Sequence, residues 1–262
     1  MPKTEVDGVN LVYEIHGAGD PIVLAHGFSA SRALFRSQVQ ILSKEYQVIV
    51  YDQRGHGESD KPEGEYSPFV FAADLDALLE KLRIKRTVVL GHSMGSMMAQ
   101  VFALTYPERL RGLILYGAVS NMKPLGNVCG PWAQDAIKEI EEKGFRTHLR
   151  SLIPYWFSSK TDRRRIESWL HEAFFEIPAY VAKGVWKGNM KFDVVDRLEE
   201  IKAPTLIIVG GDDCRTPVEN SELLNRKIPN ASLKIIRDAA HLANLEKPEE
   251  FNQALLNFLR TL

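Results

Sequence analysis

The sequence predicts an α/β protein, with a mainly parallel sheet flanked by helices and a helical cap inserted between two strands. Short, wholly apolar runs such as residues 22–25 are typical of strands covered on both faces. These runs alternate with segments of helical periodicity, which indicates a parallel sheet with crossover helices. One long interval, residues 121–196, breaks the alternation because it is helix-rich and lacks a convincing buried strand.

The elements follow from local composition along the chain. Asp7-Gly8 lies between extended segments and reads as a hairpin turn, with residues 9–15 as its second strand. Apolar or β-branched runs predict further strands at residues 22–25, 47–51, 87–90, 112–116, 205–209 and 233–236. Helical spacing of apolar residues predicts helices near residues 31–43, 69–82, 94–106, 218–227 and 248–262.

The break in the alternation divides the chain into a core and an insertion. We expect a core domain of residues 1–120 and 197–262 and a helical cap, or lid, of residues 121–196. The interval contains all four tryptophans, and we expect several of them to roof a pocket over the sheet. The candidate pocket residues are Trp132, Trp156 and Trp186, together with Leu242 of the core. The simpler alternative is that these aromatic side chains only attach short helices to the core.

Composition narrows the possible partners. The chain has 262 residues, 45% hydrophobic and 26% charged, with a formal net charge of -1. This balance gives no basic surface for nucleic acid or an anionic membrane, so a small-molecule substrate is expected. Two cysteines form no disulfide framework, and neither a signal peptide nor a membrane-spanning run is present, which indicates the cytoplasm. The sequence leaves open whether the protein is a monomer or a homodimer.

The most informative motif is Gly91-His92-Ser93-Met94-Gly95. It lies where the strand at 87–90 gives way to a helix, which is the context of a nucleophile elbow. The turn is so tight that Ser93 must adopt a strained conformation, and a side chain at either flanking glycine would collide with its surroundings. The serine hydroxyl is then raised clear of the sheet. Ser93 is therefore the candidate nucleophile.

A serine hydroxyl needs a base and an acid that orients the base. His241 is the candidate base, since it follows a late strand in a loop at the carboxyl edge of the predicted sheet. Asp212 and Asp213 compete as the acid after the strand at 205–209. The spacing to Pro217, which begins the next helix, favours Asp213.

A serine that attacks a carbonyl carbon also needs two N–H donors for the oxyanion that develops. We expect one from Met94, at the start of the elbow helix. The second is expected from Phe28, because His26-Gly27 lets the backbone approach closely. His92 is expected to point to the opposite face of its strand in a packed role. Neither metal-ligand spacing nor a phosphate-binding loop is seen, so no metal and no cofactor is expected.

Together these residues resemble the α/β-hydrolase fold family over nearly the whole chain. The matching segments are His26-Gly27-Phe28, Asp52-x-Arg54-Gly55-x-Gly57-x-Ser59, the elbow, Gly211-Asp212-Asp213 to Pro217, and His241. The ending from Ala239 to Pro248 is similar to serine carboxylesterases and enol-lactonases of the 3-oxoadipate type. That resemblance implies a Ser93–His241–Asp213 triad that cleaves carboxylic esters, and possible lactone substrates.

Two other functions fit the same sequence. Carbon–carbon bond hydrolases of aromatic ring-fission products share the serine triad, although they commonly have an aromatic residue where this chain has Leu242. A ligand-binding receptor on the same fold would keep the pocket without catalysis. A receptor would be expected to show a broken triad, and the sequence shows none.

Overall fold

The computed structural model describes residues 2–123, 126 and 128–262. Residues 1, 124, 125 and 127, which fall in the predicted core and cap ranges, lie outside the described residues. Eight strands form a single sheet in the order β1-β2-β4-β3-β5-β6-β7-β8. The strands are β1 (Lys3–Val6), β2 (Val9–His16), β3 (Pro21–Ala25), β4 (Gln47–Tyr51), β5 (Thr87–His92), β6 (Leu110–Tyr116), β7 (Thr205–Gly210) and β8 (Ala231–Ile236).

Strand direction confirms the predicted class. β1 and β2 form the expected antiparallel hairpin around Asp7-Gly8, and β2 also pairs antiparallel with β4. All other neighbours, from β4 through β3 to β8, are parallel. The parallel strands therefore send their carboxyl ends, and the loops that follow them, to one edge of the sheet.

Ten α-helices accompany these strands in the described chain. They are α1 (Arg36–Leu42), α2 (Pro68–Lys81), α3 (Met94–Thr105), α4 (Gln134–Lys143), α5 (Phe145–Leu152), α6 (Arg163–Ala173), α7 (Ala179–Asn189), α8 (Val218–Lys227), α9 (Ala243–Glu246) and α10 (Pro248–Leu259). The predicted helix at 31–43 is divided, because a 3₁₀ turn at Arg32–Phe35 precedes α1. The predicted final helix stops at Leu259 rather than at residue 262.

Alternating strand residues build two hydrophobic layers. Val23 and Val89 belong to the layer that contains residues of α2, α3 and α8, whereas Ile22 and Val88 belong to the layer that contains residues of α10. This period of two explains why the central strands read as continuous apolar runs, since both faces are covered. None of the helices in the described ranges is both long and apolar enough to cross a membrane.

The interval between β6 and β7 holds α4 to α7 and no strand of the main sheet among its described residues. An isolated bridge joins Asn121 to Asp193, near the two ends of this interval. A second bridge, between Ala30 and Phe174, ties the interval to the loop after β3. Through the second bridge, the interval contacts a loop that leaves the carboxyl edge of the sheet.

Candidate active site

Ser93 occupies the sharp turn between β5 and α3. Its backbone has φ +52° and ψ −115°, a region that residues other than glycine rarely adopt. Such strain persists only where the surroundings enforce it, and it concentrates at functional sites. The N–H of Ser93 donates to the carbonyl of Tyr116 on β6, which fixes the turn to the neighbouring strand.

The two glycines of the motif are required by close packing. A Cβ at Gly91 would lie 2.2 Å from the carbonyl oxygen of Gly95, and a Cβ at Gly95 would lie 2.5 Å from that of Ala25. Both distances are far below a tolerable contact. The spacing of the two glycines around Ser93 is therefore imposed by the turn itself.

His241 and Asp213 meet at the carboxyl edge of the sheet. Nδ1 of His241 lies 2.9 Å from Oδ2 of Asp213. The competing Asp212 instead accepts a 2.6 Å hydrogen bond from the hydroxyl of Ser158, so the structure joins Asp213 rather than Asp212 to the histidine. The described residues do not include a hydrogen bond between Ser93 and His241, although both side chains line the same cavity.

The carboxylate of Asp213 is buried and fully hydrogen-bonded. Oδ1 accepts from the backbone N–H groups of Arg215 and Thr216, at 2.8 and 2.9 Å, and Oδ2 accepts from the Thr216 hydroxyl at 2.7 Å. Burial alone raises the pKa of Asp213. The attraction of His241 and the hydrogen bonds from His241 and Thr216 outweigh burial, and the pKa is lowered. Asp213 is held as an anion that faces the imidazole.

The backbone of His241 is anchored by two side chains. Its carbonyl accepts hydrogen bonds from the hydroxyl of Tyr116, at 2.9 Å, and from Nε2 of His92, at 3.0 Å. The His92 ring lies 4.8 Å from the His241 ring and lines the cavity. The expected packed role of His92 is present, but the expected opposite-face placement is wrong, because β5 ends at His92 and the elbow turns the chain there. Burial lowers the pKa of His92 well below its usual value, which keeps the ring neutral.

The loop after β3 brings Phe28 beside the elbow. A Cβ at Gly27 would lie 2.9 Å from Nδ1 of His92 and 3.1 Å from Cβ of Ser93, so only glycine permits this approach. The N–H groups of Phe28 and Met94 find no acceptor among residues 2–123, 126 and 128–262. Unpaired donors beside a serine are what an oxyanion requires.

His26 stabilises this loop through hydrogen bonds at both ring nitrogens. Its Nδ1 donates to the carbonyl of Gly27 at 2.8 Å, and its Nε2 accepts from the N–H of Gln53 at 3.1 Å. Nε2 of the Gln53 side chain donates a 2.6 Å hydrogen bond to the His26 carbonyl. Burial lowers the pKa of His26 to about 4, so the ring is neutral and keeps one donor and one acceptor.

The neighbouring motif from Asp52 to Ser59 is structural. Asp52 accepts the N–H groups of Arg32 and Glu58, at 2.8 and 2.9 Å. Arg54 forms two 2.5 Å hydrogen bonds with Asp74 of α2. These bonds fix the loop after β4, next to the loop that carries Phe28.

An aromatic cavity of about 610 Å³, its opening included, lies over the elbow. All four candidate pocket residues line it, together with Phe28, Ser93, Met94, Thr216 and His241. The fourth tryptophan, Trp169, does not line the cavity and stacks on Phe157 at 5.9 Å.

A hydrogen-bonded group of polar side chains in the interval between β6 and β7 has no counterpart among the sequence predictions. The indole N–H of Trp186 donates to Nε2 of His148 at 3.3 Å, and Nδ1 of His148 lies 3.0 Å from Oε2 of Glu139. Because Nε2 accepts from the indole, the ring proton must sit on Nδ1 and face the carboxylate. These hydrogen bonds fix the Trp186 ring, whose centroid lies 5.7 Å from that of the Phe28 ring. Neither the helical spacing nor the composition near His148 indicated this role.

Arg215 was also missed. Its guanidinium donates to the carbonyls of Cys129 and Pro131, with the bond to Pro131 at 3.1 Å, and lies 4.9 Å from the ring centroid of Trp132. Burial lowers its pKa to about 10, so it stays charged near neutral pH. Arg215 therefore links the loop of Asp213 to the segment that contains Cys129 and Pro131. Its position two residues after Asp213 was the available signal.

Metal ligands are not clustered in the described part of the chain, where no group of three or more His, Cys, Asp or Glu side chains could hold an ion. Cys129 and Cys214 are neighbours in the fold, joined by a backbone hydrogen bond from the Cys129 N–H to the Cys214 carbonyl. The groups that the site brings together are a hydroxyl, an imidazole, a carboxylate and backbone N–H groups.

Comparison with known proteins agrees with this architecture. The profile of the alpha/beta hydrolase fold matches residues 20–248. A putative carbamate hydrolase RutD from Rhizobium rhizogenes is 30% identical over 260 residues, which cover 95% of this chain and 97% of that protein. A thermophilic esterase from Thermogutta terrifontis superposes with a TM-score of 0.86 at 31% identity, covering 99% of this chain and 96% of that one.

A second solved structure, Est816, described as an N-acyl homoserine lactone degrading enzyme, superposes with a TM-score of 0.84. It is 31% identical and covers 98% of this chain and 100% of its own. The fold and the comparisons define the class: the chain belongs to the α/β hydrolase fold family. Within that family it is a hydrolase.

Proposed function

We propose that this protein is a serine hydrolase that cleaves carboxylic esters, lactones included, through an acyl-enzyme on Ser93. The single observation that carries the proposal is the 2.9 Å contact between His241 Nδ1 and Asp213 Oδ2, at a cavity that Ser93 also lines. The similarity to the Thermogutta esterase and to Est816, an N-acyl homoserine lactone degrading enzyme, supports ester and lactone substrates, respectively.

In the proposed acylation step, the hydroxyl oxygen of Ser93 attacks the ester carbonyl carbon. His241 takes the hydroxyl proton on Nε2, because its Nδ1–H is committed to Asp213. The N–H groups of Phe28 and Met94 hold the oxyanion of the tetrahedral intermediate. When the intermediate collapses, the carbon–oxygen bond to the alcohol breaks and His241 gives the proton to the departing oxygen.

Deacylation repeats these roles with water. His241 removes a proton from the water molecule as its oxygen attacks the acyl carbon, and the second intermediate releases the carboxylic acid. The proton returns to the oxygen of Ser93. Asp213, whose pKa is lowered, stays ionised throughout and stabilises the charged imidazole.

We further propose that residues 121–196 act as a cap over a core of residues 1–120 and 197–262. Trp132, Trp156 and Trp186 come from this interval and line the cavity with Leu242 of the core. An aromatic enclosure excludes water and favours substrates with an apolar body.

The test compares Ser93→Ala with Ser96→Ala on p-nitrophenyl butyrate. Ser96 lies three residues further along the same helix, and its hydroxyl bonds the Ser93 carbonyl at 2.6 Å rather than lining the cavity. The proposal expects Ser93→Ala to lose turnover with an unchanged melting temperature, and Ser96→Ala to keep most of it. Retained turnover in a folded Ser93→Ala protein contradicts the proposal.

A substrate panel separates the related chemistries. Butyrolactones, carbamates and vinylogous diketone ring-fission products are assayed beside p-nitrophenyl butyrate. A strong preference for the diketones would identify a carbon–carbon hydrolase. Cleavage of carbamates alone would replace the ester assignment while keeping the serine mechanism.

A further inference from the structure

Asn189 places an unpaired amide in the candidate active site. It lies at the end of α7, is only 5% exposed and lines the cavity that Ser93 also lines. Its Oδ1 atom is buried without a hydrogen-bond partner. Within the described ranges the side chain makes no hydrogen bond at all, so both its acceptor and its donor are free.

The backbone that carries this amide is held by close packing of α7. A Cβ at Gly188 would lie 1.8 Å from the carbonyl oxygen of Tyr66, so the helix and the loop before α2 are in direct contact. One turn earlier on α7, Trp186 is held by its hydrogen bond to His148. The backbone that carries the amide is therefore held beside the cavity by its neighbours on both sides of the turn.

An unpaired buried amide is costly, and folded proteins rarely keep one without a reason. Most of the other residues that line the cavity are apolar, such as Met97, Trp186 and Leu242. A purely apolar ligand would leave Asn189 unsatisfied after binding. A ligand group with both a donor and an acceptor would satisfy Oδ1 and Nδ2 together.

We propose that Asn189 is a specificity-determining residue that recognises an amide in the substrate. The substrate class is a carboxylic ester or lactone that carries an N-acylamino group on an otherwise apolar body. Oδ1 of Asn189 accepts the substrate N–H, and Nδ2 donates to the substrate amide carbonyl. This inference rests on the proposed ester hydrolysis and adds the group that distinguishes one ester from another.

The experiment uses two matched ester pairs in which an N–H replaces a CH₂. On the acyl side, p-nitrophenyl N-acetylglycinate is compared with p-nitrophenyl 4-oxopentanoate. On the alcohol side, 2-acetamidoethyl butyrate is compared with 4-oxopentyl butyrate. The measured quantity is the ratio of kcat/KM between amide and ketone, in the wild type and in Asn189→Leu, so that intrinsic reactivity cancels.

We expect Asn189→Leu to lower this ratio about tenfold or more for one of the pairs, the scale of one buried hydrogen bond. Its melting temperature should be unchanged or higher, because an unpaired polar group has been removed. Asn189→Ala provides a second variant with the same expected loss if the leucine does not fit. Asn225→Leu is the matched control, since Oδ1 of Asn225 is also buried and unpaired but lies on α8, away from this cavity.

The experiment distinguishes failure of the amide assignment from failure of the proposed function. If the wild type hydrolyses both members of each pair and the ratios stay unchanged in the Asn189 variants, the amide assignment is wrong and ester hydrolysis stands. A lower melting temperature with unchanged ratios has the same meaning, because Asn189 is then only structural. If the wild type hydrolyses none of the four esters nor p-nitrophenyl butyrate, the proposed function itself fails, and the amide assignment fails with it.

Discussion

Oδ2 of Asp213 lies 2.9 Å from Nδ1 of His241, although 28 residues separate the two in sequence. The contact forms because β7 and β8 are neighbouring parallel strands, so the loops that follow them leave the same edge of the sheet. Thr216 donates to the same carboxylate oxygen and completes its hydrogen bonding. The carboxylate of Asp213 is therefore oriented by hydrogen bonds from its own loop as well as by the imidazole.

Asp213→Asn should lower kcat for ester hydrolysis by about 10³–10⁴-fold at neutral pH. The amide cannot stabilise a charged imidazole and favours the wrong ring tautomer. Asp212→Asn is the control and should change kcat by only a few-fold, since Asp212 bonds Ser158 instead. Equal losses in the two variants would remove Asp213 from its proposed role.

The strained turn at Ser93 predicts that glycine at this position stabilises the fold although activity is lost. Ser93→Gly should raise the free energy of unfolding relative to Ser93→Ala by about 1 kcal/mol, because glycine adopts φ +52° without steric cost. Both variants should be inactive. Urea denaturation of the two proteins measures the difference, and a less stable glycine variant would argue against strain at the elbow.

The hydrogen bonds around Trp186 predict a role for His148 in binding. His148→Leu removes the acceptor of the Trp186 indole and the partner of Glu139, so we expect a loss of about 1–3 kcal/mol in unfolding free energy. KM for p-nitrophenyl esters should rise more than kcat falls, because the indole lines the cavity rather than the reacting atoms. His171→Leu, at an exposed position, is the control. Unchanged stability and KM in His148→Leu would contradict this role.

Acid should destabilise the protein through His26. Its pKa is lowered from 6.5 to about 4 by burial, so between these pH values the unfolded chain binds a proton that the folded chain does not. The free energy of unfolding therefore falls as pH decreases from about 6.5 to about 4, by on the order of 3 kcal/mol from this group. In His26→Gln the fall should be shallower by that amount.

Chemical denaturation at several pH values between 4 and 7 gives this slope. His171→Gln should keep the wild-type slope, because the ring is exposed in the folded state. Identical slopes for His26→Gln and the wild type would show that the buried ring does not control acid stability.

The sequence predicted those parts of the molecule that local patterns determine. Central strands appear as apolar runs because both faces are buried, and α8 begins at the predicted residue, directly after Pro217. The turn at Ser93 was predictable because glycines at 91 and 95 are demanded by contacts within a few residues of the motif and with β3.

Other features depend on contacts between distant residues and could not be predicted in this way. His92 was expected to face away from the cavity, since strand alternation was extended one residue too far into the elbow. The partners of Trp186 and Arg215 lie 38 and 84–86 residues away, in segments whose packing no short pattern encodes. Asn189 gives no sequence signal either, because its significance is the absence of a partner in the folded state.

The central claim is that the oxygen of Ser93 becomes covalently bonded to the acyl group. Reaction with a fluorophosphonate ester, followed by peptide mass spectrometry, tests it directly because the adduct on a serine hydroxyl is stable. The account predicts one adduct per chain on Ser93, formed in step with the loss of esterase activity and absent from Ser93→Ala. Complete loss of activity with the adduct on another residue, or full activity after Ser93 is labelled, would contradict it.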